Sequence, residues 1–214
     1  MPRKKQAKLD EVKILPNVFL SSNENVMDSV KDYFKGKNKF TLELGCGNGE
    51  YTIALAEKYP DRSFIGVDRK GNRIWMGSKI SLEKNLPNCA FLITCVDQIN
   101  ELFDENSVEE IWITFPDPFE RTNGIKKRLV HPRYLEIYGK IIIPGAKINL
   151  KTDDDTLYNY ALTIVKENNL ILHKAADNLY DGTPLTFEES ILTKYEKNHI
   201  KEGKKIKLVS FSLR

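Results

Sequence analysis

Residues 40–50 of this 214-residue chain read FTLELGCGNGE. Phe40–Leu44 is typical of a strand, and Gly45, Gly47 and Gly49 follow it before a helix-like segment begins. Glycine lets the backbone turn tightly and approach a ligand closely. The spacing is G-x-G-x-G rather than the G-x-G-x-x-G of dinucleotide-binding folds, so the loop alone is a weak signal. Its place between a strand and a helix predicts a ligand site.

Strand and helix patterns alternate along most of the chain. Strands are predicted at 40–44, 63–67, 90–96, 109–114 and 146–151, and helices at 50–58, 73–85, 132–140 and 157–167. Late strands at 170–175 and 206–211 are expected to pair near a sheet edge. This alternation predicts an α/β fold with a doubly wound, Rossmann-like sheet, mostly parallel with an antiparallel edge strand.

The two ends of the chain are harder to interpret. Residues 1–20 are interpreted as a flexible basic arm and residues 23–35 as a short helix. We therefore expect residues 1–38 to form a basic N-terminal arm with a short helix, and residues 39–214 to form the main domain. Residues 177–204 contain several helix breakers, and no element is predicted there.

Composition excludes several classes of protein. With 41% hydrophobic and 29% charged residues, the chain is typical of a soluble globular protein. It has no apolar stretch long enough for a membrane span and no apolar signal core after its basic start, so we expect a cytoplasmic protein. Cys46, Cys89 and Cys95 are too few and too oddly spaced for a disulfide framework or a zinc site, and no metal is expected.

Positive charge is concentrated in three runs, although the net charge is only +3. They comprise Arg3, Lys4, Lys5, Lys8 and Lys13 near the start, Arg121, Lys126, Lys127, Arg128 and Arg133 in the middle, and Lys197, Lys201, Lys204, Lys205 and Lys207 near the end. Any single run is most simply a solvated surface. Three runs that converge on one face would indicate a polyanionic partner.

Acidic residues occur where the first three predicted strands end. Glu43 precedes the glycines, Asp68 follows the second strand and Asp97 follows the third. Ligands bind at the carboxyl ends of strands in open α/β sheets. Asp68 could accept hydrogen bonds from both ribose hydroxyls of an adenosine ligand, and Asp97 could bond an adenine amino group. Either acid could instead be a helix cap or a loop acid.

A fourth acid has the most restrained surroundings. Asp117 follows the apolar run Ile111–Phe115 and lies between Pro116 and Pro118. Proline restricts its own backbone and that of the preceding residue, which predicts a stiff, extended turn. A plain surface turn is the alternative, because Pro and Asp are both common in turns. At the end of a strand, Asp117 would be placed to touch a ligand.

The glycine loop and its acids resemble the S-adenosylmethionine site of class I methyltransferases. The resemblance implies S-adenosyl-L-methionine as cofactor. It places Glu43 near the methionine amino group or in organising the loop, Asp68 at the ribose and Asp97 at the adenine. Gly45 and Gly47 would complete the cofactor site.

Five motifs then occur in order along the chain: Phe115–Phe119, Lys126–Leu129, His131–Leu135, Lys151–Asp153 and Thr193–Glu196. Their combination resembles the bacterial tRNA (guanine-N7-)-methyltransferase family, over nearly the whole chain from residue 40 onward. The resemblance implies an enzyme that methylates N7 of guanine 46 in the tRNA variable loop. It also implies tRNA as partner. Without an apolar span, no membrane association is expected, and a monomer and a homodimer both stay open.

The same resemblance assigns roles to individual residues. Asp117 would be the catalytic residue and would also lie beside the cofactor. The substrate-binding positions would be Arg121, Asp153, Thr193, Lys194, Tyr195 and Glu196. The family usually has Lys at position 121 and Trp at position 119, and residues 120–125 lack its Pro-Lys-Lys-Arg-His-His run. We therefore expect the grip on tRNA, or the ordering of this loop, to differ.

Chemistry fits this assignment, but alternatives stay open. Guanine N7 carries a lone pair and no proton, so methylation needs positioning more than a strong base. An amino-group methyltransferase acting on another nucleic acid or a protein is one alternative, although its Asp-Pro-Pro-aromatic turn is lacking. A catalytically silent RNA-binding relative is another, suggested by the altered loop. The glycine spacing disfavours a nicotinamide dehydrogenase.

Overall fold

The computed structural model describes residues 2–214 and, within them, an eight-stranded sheet surrounded by helices. The strands are β1 Val18–Leu20, β2 Phe40–Leu44, β3 Phe64–Asp68, β4 Cys89–Ile93, β5 Val108–Thr114, β6 Ile142–Thr152, β7 Ile171–Ala176 and β8 Lys207–Ser212. The α-helices are α1 Pro2–Val12, α2 Val26–Tyr33, α3 Glu50–Lys58, α4 Gly71–Glu83, α5 Ile99–Leu102, α6 Pro132–Gly139, α7 Asp155–Glu167, α8 Phe187–Ser190 and α9 Lys194–Lys201. Short 3-10 helices span Val96–Gln98 and Thr122–Lys127.

The strand order, β1-β4-β3-β2-β5-β6-β8-β7, places the functional end of the sheet. The chain runs outward from β2 through β3 to β4, and then crosses back to place β5 on the other side of β2. The carboxyl ends of β2 and β5 therefore form a topological switch point, where open α/β sheets bind ligands. Neighbours from β1 to β6 pair in parallel, whereas β8 runs antiparallel to both β6 and β7. The predicted mostly parallel sheet with an antiparallel edge is confirmed.

The core is divided between the two faces of the sheet. Every residue of β2 and β3 is buried, as expected for parallel strands covered on both sides. Successive side chains on a strand point to opposite faces, so Phe64 enters one apolar cluster and Ile65 enters the other. The two apolar layers fix the positions of the strand ends that form the switch point.

The predicted flexible arm at residues 1–20 is wrong for the part that the structure describes. Residue 1 and the side chains of residues 2–4 lie outside that part. Val12 is fully buried and, with Leu9, packs beside Gly71 of α4. Glu11 accepts a hydrogen bond from the Trp75 indole at 2.8 Å. The helical spacing of Leu9 and Val12 supplies an apolar face that the surrounding charges obscured.

The other predicted elements agree with the structure within a few residues, whereas β1, α5 and the two 3-10 helices were not predicted. The helix expected at 23–35 is α2, and β6 begins several residues before its predicted start. Residues 177–204, where no element was predicted, contain the short helices α8 and α9. Among residues 2–214, no helix combines the length and the apolar character that crossing a membrane requires. The division at residues 38 and 39 stays a prediction, since β1 belongs to the same sheet as the rest.

Candidate functional site

A cleft of about 520 Å³ opens at the switch point. It lies within the range of about 300–1,000 Å³ that small-molecule sites occupy. Four segments supply most of its lining: the glycine loop Gly45–Gly49, the residues that follow β5, the start of α9, and the first turn of α4. The lining residues are Glu43, Gly45, Cys46, Gly47, Asn48, Glu50, Arg73, Thr114, Phe115, Pro116, Asp117, Pro118, Thr193, Lys194, Tyr195 and Asn198.

The glycine loop presents bare backbone to this cleft. Gly47 has φ +56°, a conformation that favours glycine, and its N–H donates to Oδ2 of Asp68 at 3.0 Å. A Cβ at Gly45 or Gly47 would meet no protein atom within 4 Å. At Gly49 a Cβ would lie 2.3 Å from the Phe91 ring, so this position excludes a side chain for packing reasons. The loop is therefore shaped both for a ligand and for close packing on the sheet.

Glu43 connects the strand before the glycine loop to the helix after it. Its side chain is buried, with Oε2 accepting from the Thr52 N–H at 2.9 Å and from the Thr52 hydroxyl, and Oε1 accepting from Thr114 Oγ1 at 2.7 Å. Burial raises the pKa of Glu43 to about 7, although the bonds from Thr52 and Thr114 oppose that shift. Glu43 thus ties β2 to α3 and to the end of β5. These contacts favour the loop-organising role among the two that the sequence left open.

Asp68 also holds the glycine loop. Its buried carboxylate accepts from the Gly47 N–H and, through Oδ1, from the Lys70 N–H at 2.8 Å. A carboxylate has roughly four acceptor positions, so Asp68 keeps capacity for a further donor. Its side chain does not line the cleft itself.

Asp97 lies outside the cleft. Its side chain is exposed, forms an ion pair with Arg133 of α6, and accepts from the Tyr134 hydroxyl at 3.4 Å. Asp97 is therefore not among the residues that line the cleft, and its assignment to the adenine stays a prediction.

The segment Phe115–Phe119, called here the Asp117 turn, is unusually restrained. Phe115 and Phe119 have φ values of 49° and 46°, which are uncommon for residues other than glycine and cluster at functional sites. The buried Arg128 side chain donates to the carbonyls of Pro118 at 2.8 Å and Phe119 at 3.2 Å. The Asp117 side chain is exposed and lines the cleft. The hydrogen bonds from Arg128 help to explain the predicted stiffness of this turn. The positive φ angles at Phe115 and Phe119 were not predicted from the sequence.

The start of α9 forms the opposite wall. Thr193 caps the helix by accepting from the Glu196 N–H at 3.2 Å, and the Lys194 N–H donates to Oε2 of Glu50. The half-exposed Tyr195 ring lies 5.2 Å from the Phe115 ring. The predicted positions 193–195 and Asp117 therefore face one cleft.

Three other predicted substrate positions do not line the cleft. Glu196 is fully buried and pairs with Lys151. Asp153 is partly buried, with Oδ2 3.0 Å from His199 Nδ1 and 3.1 Å from Lys204 Nζ. Arg121 is exposed where the 3-10 helix Thr122–Lys127 begins. Of the three, burial makes direct contact with a substrate unfavourable for Glu196.

Some cleft and supporting residues were missed by sequence reasoning. Arg73, in the first turn of α4, places a cation in the cleft, and its position shortly after Asp68 was a usable signal. Asn198, one turn beyond Lys194 on α9, needed a helix that was not predicted. Lys151 ends an apolar strand pattern, and that break in the pattern signalled a buried charge.

The donor set suits S-adenosylmethionine, which carries a carboxylate, an ammonium group, a ribose diol and an adenine. Open backbone at Gly45 and Gly47 allows close approach, and Arg73 and Lys194 supply cations for a carboxylate. Asp68, next to the loop, retains acceptor capacity for hydroxyl groups. The residues present therefore fit this cofactor.

The sheet, its switch-point cleft and the glycine loop define an α/β methyltransferase fold. Solved structures agree: the 16S rRNA methyltransferase KamB superposes with a TM-score of 0.65 at 13% identity, covering 87% of this chain and 93% of that one. An antibiotic-related methyltransferase gives 0.65 at 16% identity, covering 90% and 96%. At such identities the likeness shows the fold alone.

Sequence comparisons identify the family. Residues 37–209 match the family model Methyltransf_4, described as "Putative methyltransferase". A tRNA (guanine-N(7)-)-methyltransferase of Porphyromonas gingivalis is 43% identical over 183 residues, 85% of this chain and 74% of that protein. One of Cytophaga hutchinsonii is 35% identical over 216 residues, 99% of this chain and 98% of that protein. The chain belongs to the tRNA (guanine-N(7)-)-methyltransferase family.

Proposed function

We propose that this protein transfers the methyl group of S-adenosylmethionine to N7 of guanine in tRNA, at position 46 of the variable loop. The observation that carries the proposal is the meeting of Asp117, the glycine loop and Tyr195 around one cleft. The names of its relatives support guanine N7 of tRNA as the acceptor. Position 46 rests on the family resemblance of the Asp117 turn and the later motifs.

Five residues would bind the cofactor: Gly45, Gly47, Asp68, Arg73 and Lys194. When bound, S-adenosylmethionine supplies an electrophilic methyl group. Gly45 and Gly47 offer close backbone approach, Asp68 accepts from hydroxyl groups, and the two cations balance a carboxylate. Glu43 contributes indirectly, since its bonds fix the loop relative to β5.

The acceptor side would be organised by Asp117. Guanine N7 needs no deprotonation, so the protein chiefly has to hold the base in line. The Asp117 carboxylate can accept from guanine N1–H and the exocyclic amino group, and it offsets positive charge that develops on the base. The restrained Asp117 turn keeps this acceptor in place before the substrate arrives.

Substrate RNA would be bound by residues around the cleft. A base must leave its stack to reach such a site, and loop nucleotides do so at the lowest cost. Tyr195 offers a half-exposed ring next to Thr193 and Lys194, which line the same wall, and Asp153 lies 3.0 Å from His199 of the same helix. Arg121, Lys126 and Lys127 are exposed beyond the Asp117 turn and would contact phosphates.

Residues 39–214 would carry this activity, in agreement with the family match over residues 37–209. Residues 1–38 would then be an extension that packs on α4 and adds β1 to the sheet edge. A cytoplasmic location is part of this proposal, and a tRNA substrate supports it.

The direct test incubates the protein with methyl-labelled S-adenosylmethionine and unmodified tRNA, followed by digestion and identification of the labelled nucleoside. We expect label in 7-methylguanosine. A tRNA with adenine at position 46 and its other guanines intact is the matched control, and it should take up no label. Label in another nucleoside would refute the acceptor, and label that persists in the control would refute position 46.

A further inference from the structure

Helix α9 is attached to the domain by an unusual contact. Within this helix, all of which the structure describes, Glu196 is the single buried residue. Helices usually dock through an apolar face. Here Tyr195 and Ile200 are both substantially exposed, so the charged Glu196 takes the place of that face.

The partner of Glu196 is Lys151, at the carboxyl end of β6. Both side chains are fully buried, with Nζ 2.8 Å from Oε1 and 3.0 Å from Oε2. Nζ also donates to the carbonyls of Glu189, near the end of α8, and of Ile191, the first residue of the link to α9, each at 3.1 Å. The Tyr180 hydroxyl donates to Oε1 of Glu196 at 2.6 Å. The ammonium group thereby joins the end of α8 to the first turn of α9.

The backbone of Lys151 contacts the other wall of the cleft. Its carbonyl accepts from the Phe115 N–H at 2.8 Å, at the first residue of the Asp117 turn. One residue therefore joins the turn that carries Asp117 to the helix that carries Tyr195. Across that connection the Phe115 and Tyr195 rings meet at 5.2 Å.

We propose that Lys151 and Glu196 form a buried strut that positions α9 against the Asp117 turn, with Glu196 acting there and not through contact with the substrate. They are positioning residues. A buried ion pair contributes little net stability relative to apolar side chains of similar size, so its main effect here is on geometry. Because its activity readout is tRNA methylation, this role rests on the proposed function.

The first test replaces Lys151 with Met, which keeps the unbranched stem and removes the charge. Without the strut, α9 amides at residues 194–201 should exchange hydrogen faster, while those of β2 stay protected. We expect kcat/KM for tRNA to fall about 100-fold, the size of effect that a displacement near 1 Å can produce. The Kd for S-adenosylmethionine should be unchanged, because the glycine loop is untouched. Wild-type exchange in α9, or wild-type kcat/KM, would overturn the strut.

Lys151→Met leaves Glu196 buried without its partner, which can prevent folding. The double variant Lys151→Met/Glu196→Met removes both charges and should fold. It should still exchange faster in α9 and show the same loss on tRNA. Glu196→Gln keeps an acceptor for Lys151 and should retain more activity than Glu196→Ala. A folded double variant with wild-type kinetics and exchange would refute the proposal.

A matched control is the partly buried pair between Arg62 and Glu110, which are 3.0 Å apart near the start of β5. Glu110→Gln should lower stability without changing α9 exchange or kcat/KM. If the wild-type protein does not methylate tRNA, the proposed function fails. Hydrogen exchange of the α9 amides would then still test the strut, independently of the proposed function.

Discussion

Asp117 is the residue on which the proposed chemistry depends most directly. Asp117→Asn preserves shape and removes the charge that would offset positive charge on the methylated base. We expect kcat for tRNA methylation to fall about 100-fold, as when an enzyme is deprived of one electrostatic interaction with the transition state. Binding of S-adenosylmethionine, measured by calorimetry, should change little. Asp104→Asn, at an exposed acid paired with Lys31, is the control and should leave kcat unchanged.

Normal turnover by Asp117→Asn at saturating tRNA and cofactor would contradict the role given to this residue.

Glu43 should leave a signature in the pH dependence of stability. Its pKa is about 7 in the folded protein against a reference of 4.5, because burial disfavours the charged form. Between these values the unfolded chain loses the proton first, so the free energy of unfolding falls as pH rises from 4.5 to 7. The contribution is constant below and above this window. The slope from one such group is at most about 1.4 kcal/mol per pH unit.

Urea unfolding of wild type and Glu43→Gln across this pH range measures the effect. The variant should lack this contribution, so its free energy of unfolding should decline less steeply with pH. Parallel curves for the two proteins would show that Glu43 is ionised with an ordinary pKa in the folded state.

At the scale of elements, the packing of α1 is testable because it replaces an expected flexible arm. Val12 is fully buried beside Gly71. Val12→Ala removes two methyl groups from this interface and should lower the free energy of unfolding by about 2 kcal/mol. Lys13→Ala, at the exposed neighbouring residue, should have little effect. Equal stability of the two variants in urea would show that α1 is not docked as described.

The sequence predicted strands better than the elements around residues 177–204, and the reason is physical. Buried parallel strands such as β4 are continuously apolar, so their pattern is local. Helices α8 and α9 are too short to be marked by propensity and depend on tertiary contacts. The spacing of Thr186 and Glu189 was a capping-box signal for α8. No local pattern could reveal that Lys151 pairs with Glu196, 45 residues away.

At the scale of the whole molecule, the cleft is assembled from distant segments by topology. The glycine loop follows β2 and the Asp117 turn follows β5, and these strands are neighbours because the chain reverses direction across the sheet. The sequence therefore sufficed to bring Glu43, Gly45, Gly47 and Asp117 to one edge. It could not reveal that Asp97 pairs with Arg133, which lies on a helix after the next strand. The direction in which each side chain points depends on tertiary packing, so it could not be predicted from the sequence.

The distribution of charge over the whole surface should decide how tRNA is held. Lys126 and Lys127 are exposed just beyond the Asp117 turn, and neither has a carboxylate partner among the ion pairs of the described residues. If both bind phosphates, Lys126→Ala/Lys127→Ala should weaken tRNA binding and make log K less steeply dependent on log salt. Removing the cation that binds one phosphate should reduce that slope by about 1. The affinity for S-adenosylmethionine should stay the same.

Lys37→Ala/Lys39→Ala removes the same charge just before β2, at the end of the strand opposite to the cleft. Binding of tRNA over a range of salt concentrations would compare the two double variants. If only net charge mattered, both would weaken binding equally, because long-range attraction depends little on where the charge lies. If the surface beside the Asp117 turn holds the backbone, Lys126→Ala/Lys127→Ala alone should flatten the salt dependence. Equal slopes in both variants and wild type would place the phosphate-binding surface elsewhere on the molecule.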